Sequence, residues 1–266
     1  MDLELKGKVA MVTGGSRGLG RAMAEALAAE GMSVSICARD THAVSEAAAA
    51  VNEIGKRTGA KPAAGFVGDV TSASQMEKWV AAVVRECGRI DVLVNNAGAA
   101  RPGALAELPE SAWQEQFDLN LFAPVRLARM VAPHMEQQGG GSIINIGSIY
   151  GRESGGPLTY NASKAALHSF TKLLARELAP KKIRVNTVAP GSILVPGGNW
   201  EKRFKESPAF EKDFLAREMP AGRLGSAAEV AYAVAMLASP RASWITGANI
   251  PVDGAQGRSI LLVSCL

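Results

Sequence analysis

Three cysteines and three histidines are all that this 266-residue chain holds. Cys37, Cys87 and Cys265 are odd in number and lack CxxC spacing, which excludes a disulfide framework and a zinc site. Cys37 lies in an apolar run and Cys87 at a predicted helix end, so both read as buried thiols. His42, His134 and His168 have no ligand-like spacing, and no metal is expected. His168 falls one turn after Lys164 and reads as a surface histidine. Blocks of like charge are also missing. The net charge is +4 with Lys and Arg scattered, which argues against a nucleic-acid surface. No uninterrupted apolar run is long enough to span a bilayer. The start, Met1-Asp2-Leu3-Glu4, is acidic and leads quickly into a strand, unlike a signal peptide. A reducing cytoplasm is the expected location.

What is present is apolar: 47% hydrophobic residues against 20% charged, enough for a sizeable core. Short β-branched runs alternate with Ala-rich segments of helical period. Strands are expected over 9–12, 33–37, 64–67, 92–94, 142–146, 183–188 and 248–252. Helices are expected over 18–30, 42–55, 72–87, within 110–137, and around Tyr160 and Lys164. Strands that read apolar throughout, each followed by a helix, imply a parallel sheet covered on both faces. The reading is an α/β chain: a single-domain Rossmann-like doubly wound parallel sheet spanning 1–266. The stretch 191–220, broken by Pro196, Gly197-Gly198, Pro208 and Pro220, is irregular and reads as a substrate lid or binding loop. Within it Trp200, Phe204, Phe210 and Phe214 recur at helix-like intervals. They suit a cover over an apolar substrate and the packing of a small helix pair equally well.

After the first strand comes Thr13-Gly14-Gly15-Ser16-Arg17-Gly18-Leu19-Gly20. Glycines let backbone N–H groups approach a phosphate at the positive end of the following helix. The spacing of Gly14, Gly18 and Gly20 differs from GxGxxG. At the end of the second strand an NAD site commonly has an acid for the ribose 2′-hydroxyl, whereas a 2′-phosphate calls for arginine. Ala38 stands there and Arg39 follows; Arg17 can approach the same phosphate, which favours NADP(H). Asp40 keeps an NAD-like site open. Tyr160 and Lys164, four residues apart on one helical face, place an ammonium beside a phenol. That proximity is expected to lower the phenol pKa towards neutrality and suit it to proton exchange with a substrate oxygen.

With Asp69-Val70, Asn95-Asn96-Ala97-Gly98, Asn120, Ser148 and Pro190-Gly191 in the same order and separations, the chain resembles the short-chain dehydrogenase/reductase family from about residue 6 to 255. Within that family it is similar to 3-oxoacyl-carrier-protein reductases and glucose-dehydrogenase-like members. The resemblance implies an NADP(H)-dependent oxidoreductase interconverting a ketone and a secondary alcohol. Tyr160 would be the general acid or base, and Lys164 would tune it and bond the nicotinamide ribose. Ser148 would hold the substrate oxygen, and Asn120 would anchor a water serving Lys164. Gly14, Ser16, Arg17, Gly18, Leu19, Gly20 and Arg39 would take the phosphates. Asp69 and Val70 would frame the adenine, Asn96, Ala97 and Gly98 the ribose, and Pro190, Gly191 and Ile193 the nicotinamide.

Taken singly, Ser148 reads as a turn cap, Asn120 as a helix-surface residue and Asn95-Asn96 as a turn. Tyr150 is a decoy beside Ser148, with Ser154 and no lysine four residues on. Two departures stand out. Ser192 only partly replaces the family's threonine three residues after the Pro-Gly pair. An apolar tail, Ile260 to Val263, is expected to pack against another subunit or to be partly disordered. The family analogy implies a homotetramer or homodimer through the helices near 110–137 and 160–179, acting on a small molecule. The alternatives are a 3-oxoacyl-carrier-protein reductase specifically, an enoyl reductase, a nucleotide-sugar epimerase, or a non-catalytic NADP(H) sensor. In an enoyl reductase the gap between tyrosine and lysine is usually longer than here.

Overall fold

Side chains alternate across a strand, and in β1 (Val9–Thr13) Ala10 and Val12 face one core while Val9 and Met11 face another. Both sides of the strand are therefore buried, as an all-parallel sheet demands. The computed structural model describes residues 2–259; the apolar tail and Cys265 lie outside the described residues. The remaining strands are β2 (Ser33–Ala38), β3 (Phe66–Val67), β4 (Val92–Asn95), β5 (Gly141–Ile146), β6 (Ile183–Pro190), β7 (Ile193–Leu194), β8 (Gly225–Ser226) and β9 (Asn249–Val252). Seven form one sheet in the order β3-β2-β1-β4-β5-β6-β9, every described pairing parallel. This is the doubly wound order, with its reversal between β1 and β4, where ligands of such folds bind.

Helices α1 (Gly18–Ala29), α2 (Thr41–Thr58) and α9 (Ala227–Ala238) cover one face through Met23, Leu27, Val51, Val230 and Val234. The other face is covered by α3 (Ala73–Cys87), α5 (Ala123–Gln137) and α6 (Leu158–Leu178) through Trp79, Val83, Leu127, Val131 and Leu178. Side chains of the size of Leu27 or Val131 stabilise by roughly 1.5–3 kcal/mol each on full burial, which explains two dense cores in a chain so poor in aromatics.

Three elements differ from the sequence expectation. The third strand is only Phe66–Val67, because its pairing with β2 is confined to Cys37–Phe66 and Ala38–Val67. The long helix within 110–137 is split into α4 (Glu110–Phe117) and α5 by a π-helical turn, Asp118–Phe122. The segment 191–220 is ordered: it supplies β7, α7 (Asn199–Glu206) and α8 (Pro208–Glu218). Ser207 caps α8 by accepting the N–H of Phe210, with Pro208 at the first turn. Phe204, Met219 and Leu224 form a small core there, joined by Trp200, Phe210 and Phe214. Adjacent rings lie 4.4–6.3 Å apart across the structure, Trp200–Phe214 at 4.4 Å being the tightest.

Candidate active site

Several residues singled out as catalytic or cofactor-binding lie at the carboxyl edge of the sheet. Thr13 ends β1, Arg39 follows β2, Asn95 ends β4, Ser148 follows β5 by two residues and Pro190 ends β6.

The turn after β1 is tight for a stated reason. Gly14 and Gly18 take φ of +64° and +57°, which favour glycine, and a Cβ on Gly20 would sit 2.1 Å from the Gly14 carbonyl oxygen. Ser16 is buried, Leu19 half-buried and Arg17 exposed at the N-cap of α1. Asn96 serves this turn directly: its Nδ2 donates to the carbonyls of Thr13 at 2.9 Å and Gly14 at 3.3 Å. Thr13 Oγ1 in turn accepts the N–H groups of Asn96 (2.8 Å) and Ala97 (2.9 Å). The two strands flanking the topological reversal are thus stapled together just below the cradle.

Arg39 is exposed, and neither it nor Arg17 lies within ion-pair distance of a carboxylate among the described residues. Arg21, one turn further along α1, is engaged by Glu25 and Glu46. Asp40 is committed as well: its Oδ1 accepts the N–H of Ala43 at 2.8 Å and caps α2. Asp69 sits below the usual carboxylate range: burial opposes its charge, but the N–H and hydroxyl of Thr71 and the field of Arg39 outweigh that. Val70 beside it is buried.

Across the reversal, α6 carries Tyr160 and Lys164. A buried chain of polar side chains holds this helix to the sheet: Asn95 Nδ2 donates to Asn145 at 2.8 Å, Asn145 to Thr171 at 2.8 Å, and Thr187 to Thr171 at 2.9 Å. Lys164 is 4% exposed. Its Nζ donates to the carbonyl of Ile146 at 2.7 Å and lies 5.6 Å from the Tyr160 ring centroid. With three N–H groups on an ammonium, two remain for other partners. Burial pushes the Lys164 pKa down to about 8. The Tyr160 phenol is pushed up by burial, an effect that a hydrogen bond with Ser148 only partly offsets. This reverses the expected lowering by Lys164. Both groups are enclosed, and desolvation sets the direction of each shift.

Ser148 does two things at once. Its Oγ accepts the N–H of Tyr150 at 3.2 Å and caps the short turn Ile149–Gly151, and it also faces the phenol. Asn120 is no surface residue. The π turn carries it inward to 0% exposure, where its amide donates to the Ala99 carbonyl (3.0 Å) and Ser163 Oγ (3.0 Å) and accepts the Ala99 N–H (3.2 Å). π turns recur at functional sites. A Cβ on Gly98 would lie 3.0 Å from Asn120 Oδ1 and 3.4 Å from Lys164 Nζ, so these groups converge on one glycine.

Pro190 ends β6, Ile193 begins β7, and Gly191 lies between the two strands. Ser192 is clamped by Gln256, which accepts its N–H at 2.7 Å and donates to its Oγ at 3.0 Å. Gln256, 6% exposed, was invisible to sequence reasoning, because its partner lies 64 residues away. A cavity of about 790 Å³ opens between the loop 149–156 and the α7–α8 pair. Ile149, Tyr150, Trp200, Arg203, Phe210 and Phe214 are among its lining residues. The aromatic cluster therefore both packs the helix pair and faces the cavity. Tyr150 is a wall, its ring set against Gly155 and Gly156. His168 corrects the expectation of a surface histidine: its Nε2 is fully buried and its Nδ1 lies 2.7 Å from Asn249 Nδ2. Cys37 is buried with its thiol pushed up to about 12, and Cys87 is half-buried.

Residues 14–255 match the family model described as enoyl-(acyl carrier protein) reductase. The chain is 38% identical to the 3-oxoacyl-[acyl-carrier-protein] reductase FabG of Vibrio cholerae, over 95% of this chain and 98% of that one. It is 37% identical to the short-chain reductase protein NovJ of Streptomyces niveus, over 92% of each. Among solved structures, L-sorbose reductase from Gluconobacter frateurii, complexed with NADPH and L-sorbose, superposes with a TM-score of 0.91 at 33% identity, covering 98% of this chain and all of that one. The chain belongs to the short-chain dehydrogenase/reductase family and is an oxidoreductase acting on CH–OH and C=O groups. No helix among the described residues is long and apolar enough to cross a membrane.

Proposed function

We propose that this protein is an NADP(H)-dependent reductase of ketones, reversible as a secondary-alcohol dehydrogenase, with Tyr160 as general acid in reduction and general base in oxidation. The observation that carries the reading is the convergence of Ser148, Tyr160, Lys164 and Asn120 beside a glycine cradle flanked by Arg17 and Arg39, which pair with no carboxylate among the described residues. The cradle suits a dinucleotide: Gly14 to Gly20 leave room for a pyrophosphate at the positive end of α1, and Arg17 and Arg39 suit a 2′-phosphate. Asp69, Val70, Asn96, Ala97 and Gly98 would hold the adenosine side, and Lys164, Pro190, Gly191 and Ile193 the nicotinamide side. When bound, NADPH supplies the hydride.

The chain's own residues supply the rest. Ser148 donates to the substrate oxygen while its Oγ is fixed by the Tyr150 N–H. Tyr160 gives its proton to the same oxygen, and Lys164 with Asn120 replenishes it. The helix pair within 191–220 is read as the lid over the substrate cavity. The tyrosine–lysine gap of four favours carbonyl over enoyl reduction. The likeness to FabG of Vibrio cholerae favours a second, narrower reading, reduction of a 3-oxoacyl thioester; the sorbose reductase keeps polyhydroxy ketones in view. Exposed Phe122, Leu158 and Leu173 favour a homotetramer or homodimer through α5 and α6. Two free thiols suit the cytoplasm.

Replacing Tyr160 by Phe tests the assignment. NADPH oxidation with a panel of acyl thioesters, sugars, steroids and diketones should fall by roughly 100-fold or more, while NADPH binding by fluorescence titration stays within about twofold. Turnover within tenfold of the unmodified enzyme would sink the assignment.

A further inference from the structure

His168 is a half-buried titratable side chain near the site, with a fully buried Nε2, to which no role has been given. Its ring lies between the two glycines that bracket Ser148. A Cβ on Gly147 would sit 2.2 Å from His168 Nε2, and one on Gly151 would sit 2.5 Å from Cε1 and 2.8 Å from Nδ1. Neither glycine has a positive φ, so side chains, not the backbone, exclude a Cβ: the imidazole at both positions, joined at Gly147 by Thr187 Cγ2 at 2.6 Å. On its far side the ring is fastened to β9 through Asn249, whose Nδ2 lies 2.7 Å from Nδ1. The other edge of the ring faces the turn, where Nε2 is fully buried and a hydrogen bond with the Gly151 backbone favours the protonated imidazole without offsetting burial.

We propose that His168 is a positioning residue for Ser148: a wedge between Gly147 and Gly151, anchored to Asn249, that sets where the Ser148 hydroxyl stands relative to Tyr160. The inference rests on the proposed role of Ser148. The charged groups facing the ring are Lys164 from its own helix and Arg152 from the turn; burial and these two cations push its pKa down to about 4. The imidazole is therefore neutral throughout the working range, and its contribution is shape and one hydrogen bond, not proton transfer.

The test uses full-length enzyme with NADPH and either 2,3-butanedione or ethyl acetoacetate, whichever the unmodified protein reduces faster. His168→Ala should lower kcat about tenfold, leave the NADPH dissociation constant within twofold, and raise the primary isotope effect measured with deuterated NADPH. Gly151→Ala should cause a similar loss, because the added methyl group drives the turn away from the ring. The double variant should lose no more than about tenfold, since both changes act through the same contact. A kcat within twofold of the unmodified enzyme for His168→Ala overturns the proposal, as does a double variant in which the two losses multiply. Should His168→Ala not fold, Gly151→Ala decides alone, and an unchanged kcat refutes the wedge. Ser148→Ala separates the two readings. Full turnover in that variant removes the role of Ser148 itself, whereas an inactive Ser148→Ala beside a fully active His168→Ala removes only the wedge.

Discussion

Lys164 offers a stability experiment whose sign runs against ordinary intuition. The side chain is 4% exposed, and burial lowers its pKa from 10.5 to about 8. The folded pKa lies below the unfolded one, so folding weakens proton binding at this group. Below about pH 8 both states are protonated and the folded state bears the full cost of an enclosed ammonium. A pKa gap of that size corresponds to roughly 3 kcal/mol. Between about pH 8 and 10.5 the folded chain releases its proton first, and stability rises with pH at up to ~1.4 kcal/mol per pH unit from this group. Lys164→Met keeps the length of the chain and removes the charge. It also removes the 2.7 Å bond to the Ile146 carbonyl, a loss of about 1 kcal/mol. The expected net result at pH 7 is a variant more stable by about 1–2 kcal/mol and devoid of useful turnover. Urea unfolding followed by tryptophan fluorescence, at pH 7 and at pH 10, reads the difference directly. The gap should shrink or reverse at pH 10. A methionine variant less stable than the parent at pH 7, with a difference independent of pH, would refute the argument that Lys164 is held uncomfortably for function.

Three further outcomes follow from the cofactor cradle. Arg39→Ala should cut kcat/KM with NADPH by about tenfold, the scale of an exposed charge-assisted bond, and leave NADH unaffected; an equal effect on both cofactors would show that Arg39 does not read the 2′-phosphate. Asp40→Ala removes the α2 cap and should cost about 1 kcal/mol in a thermal or urea melt with the NADPH/NADH ratio unchanged, and a large shift in that ratio would mean that the carboxylate faces the ribose. Gly20→Ala places a methyl group 2.1 Å from the Gly14 carbonyl oxygen, so NADPH affinity by titration should drop by at least tenfold; parental affinity would show that the turn yields without consequence.

The features legible beforehand were those that depend on local spacing. Tyr160 and Lys164 share a face because a helix repeats every 3.6 residues, and the glycine turn follows β1 because glycine adopts those φ values at least steric cost. The βα alternation implied a parallel sheet, and the sheet observed is parallel throughout its described pairings. What escaped were consequences of contacts far apart in the chain. His168 is half-buried and held against Gly147, Gly151 and Asn249, the last 81 residues away. Gln256 meets Ser192 across 64 residues. Asn120 is turned inward by a π bulge that apolar periodicity does not announce. The aromatic residues of 200–214 have helical spacing, but only the fold shows that the pair they pack also borders the cavity.

The same distinction explains why the phenol shift came out opposite to expectation, and the difference bears on direction. A lysine one turn away suggests a phenol primed to lose its proton, which is the form needed to oxidise an alcohol. Enclosure reverses that preference: Tyr160 is raised and Lys164 lowered, so at neutral pH the phenol keeps its proton. A protonated phenol is the competent form for reduction, since hydride arrival at a carbonyl carbon leaves an alkoxide far more basic than any phenolate. The acid therefore need not be strong, only present, correctly placed and resupplied. In the proposed mechanism, placement would come from Ser148 and the turn that His168 supports, and resupply through Lys164 and Asn120. The buried lysine would then matter less as a force that strips the phenol than as a proton store poised to return what each reduction removes.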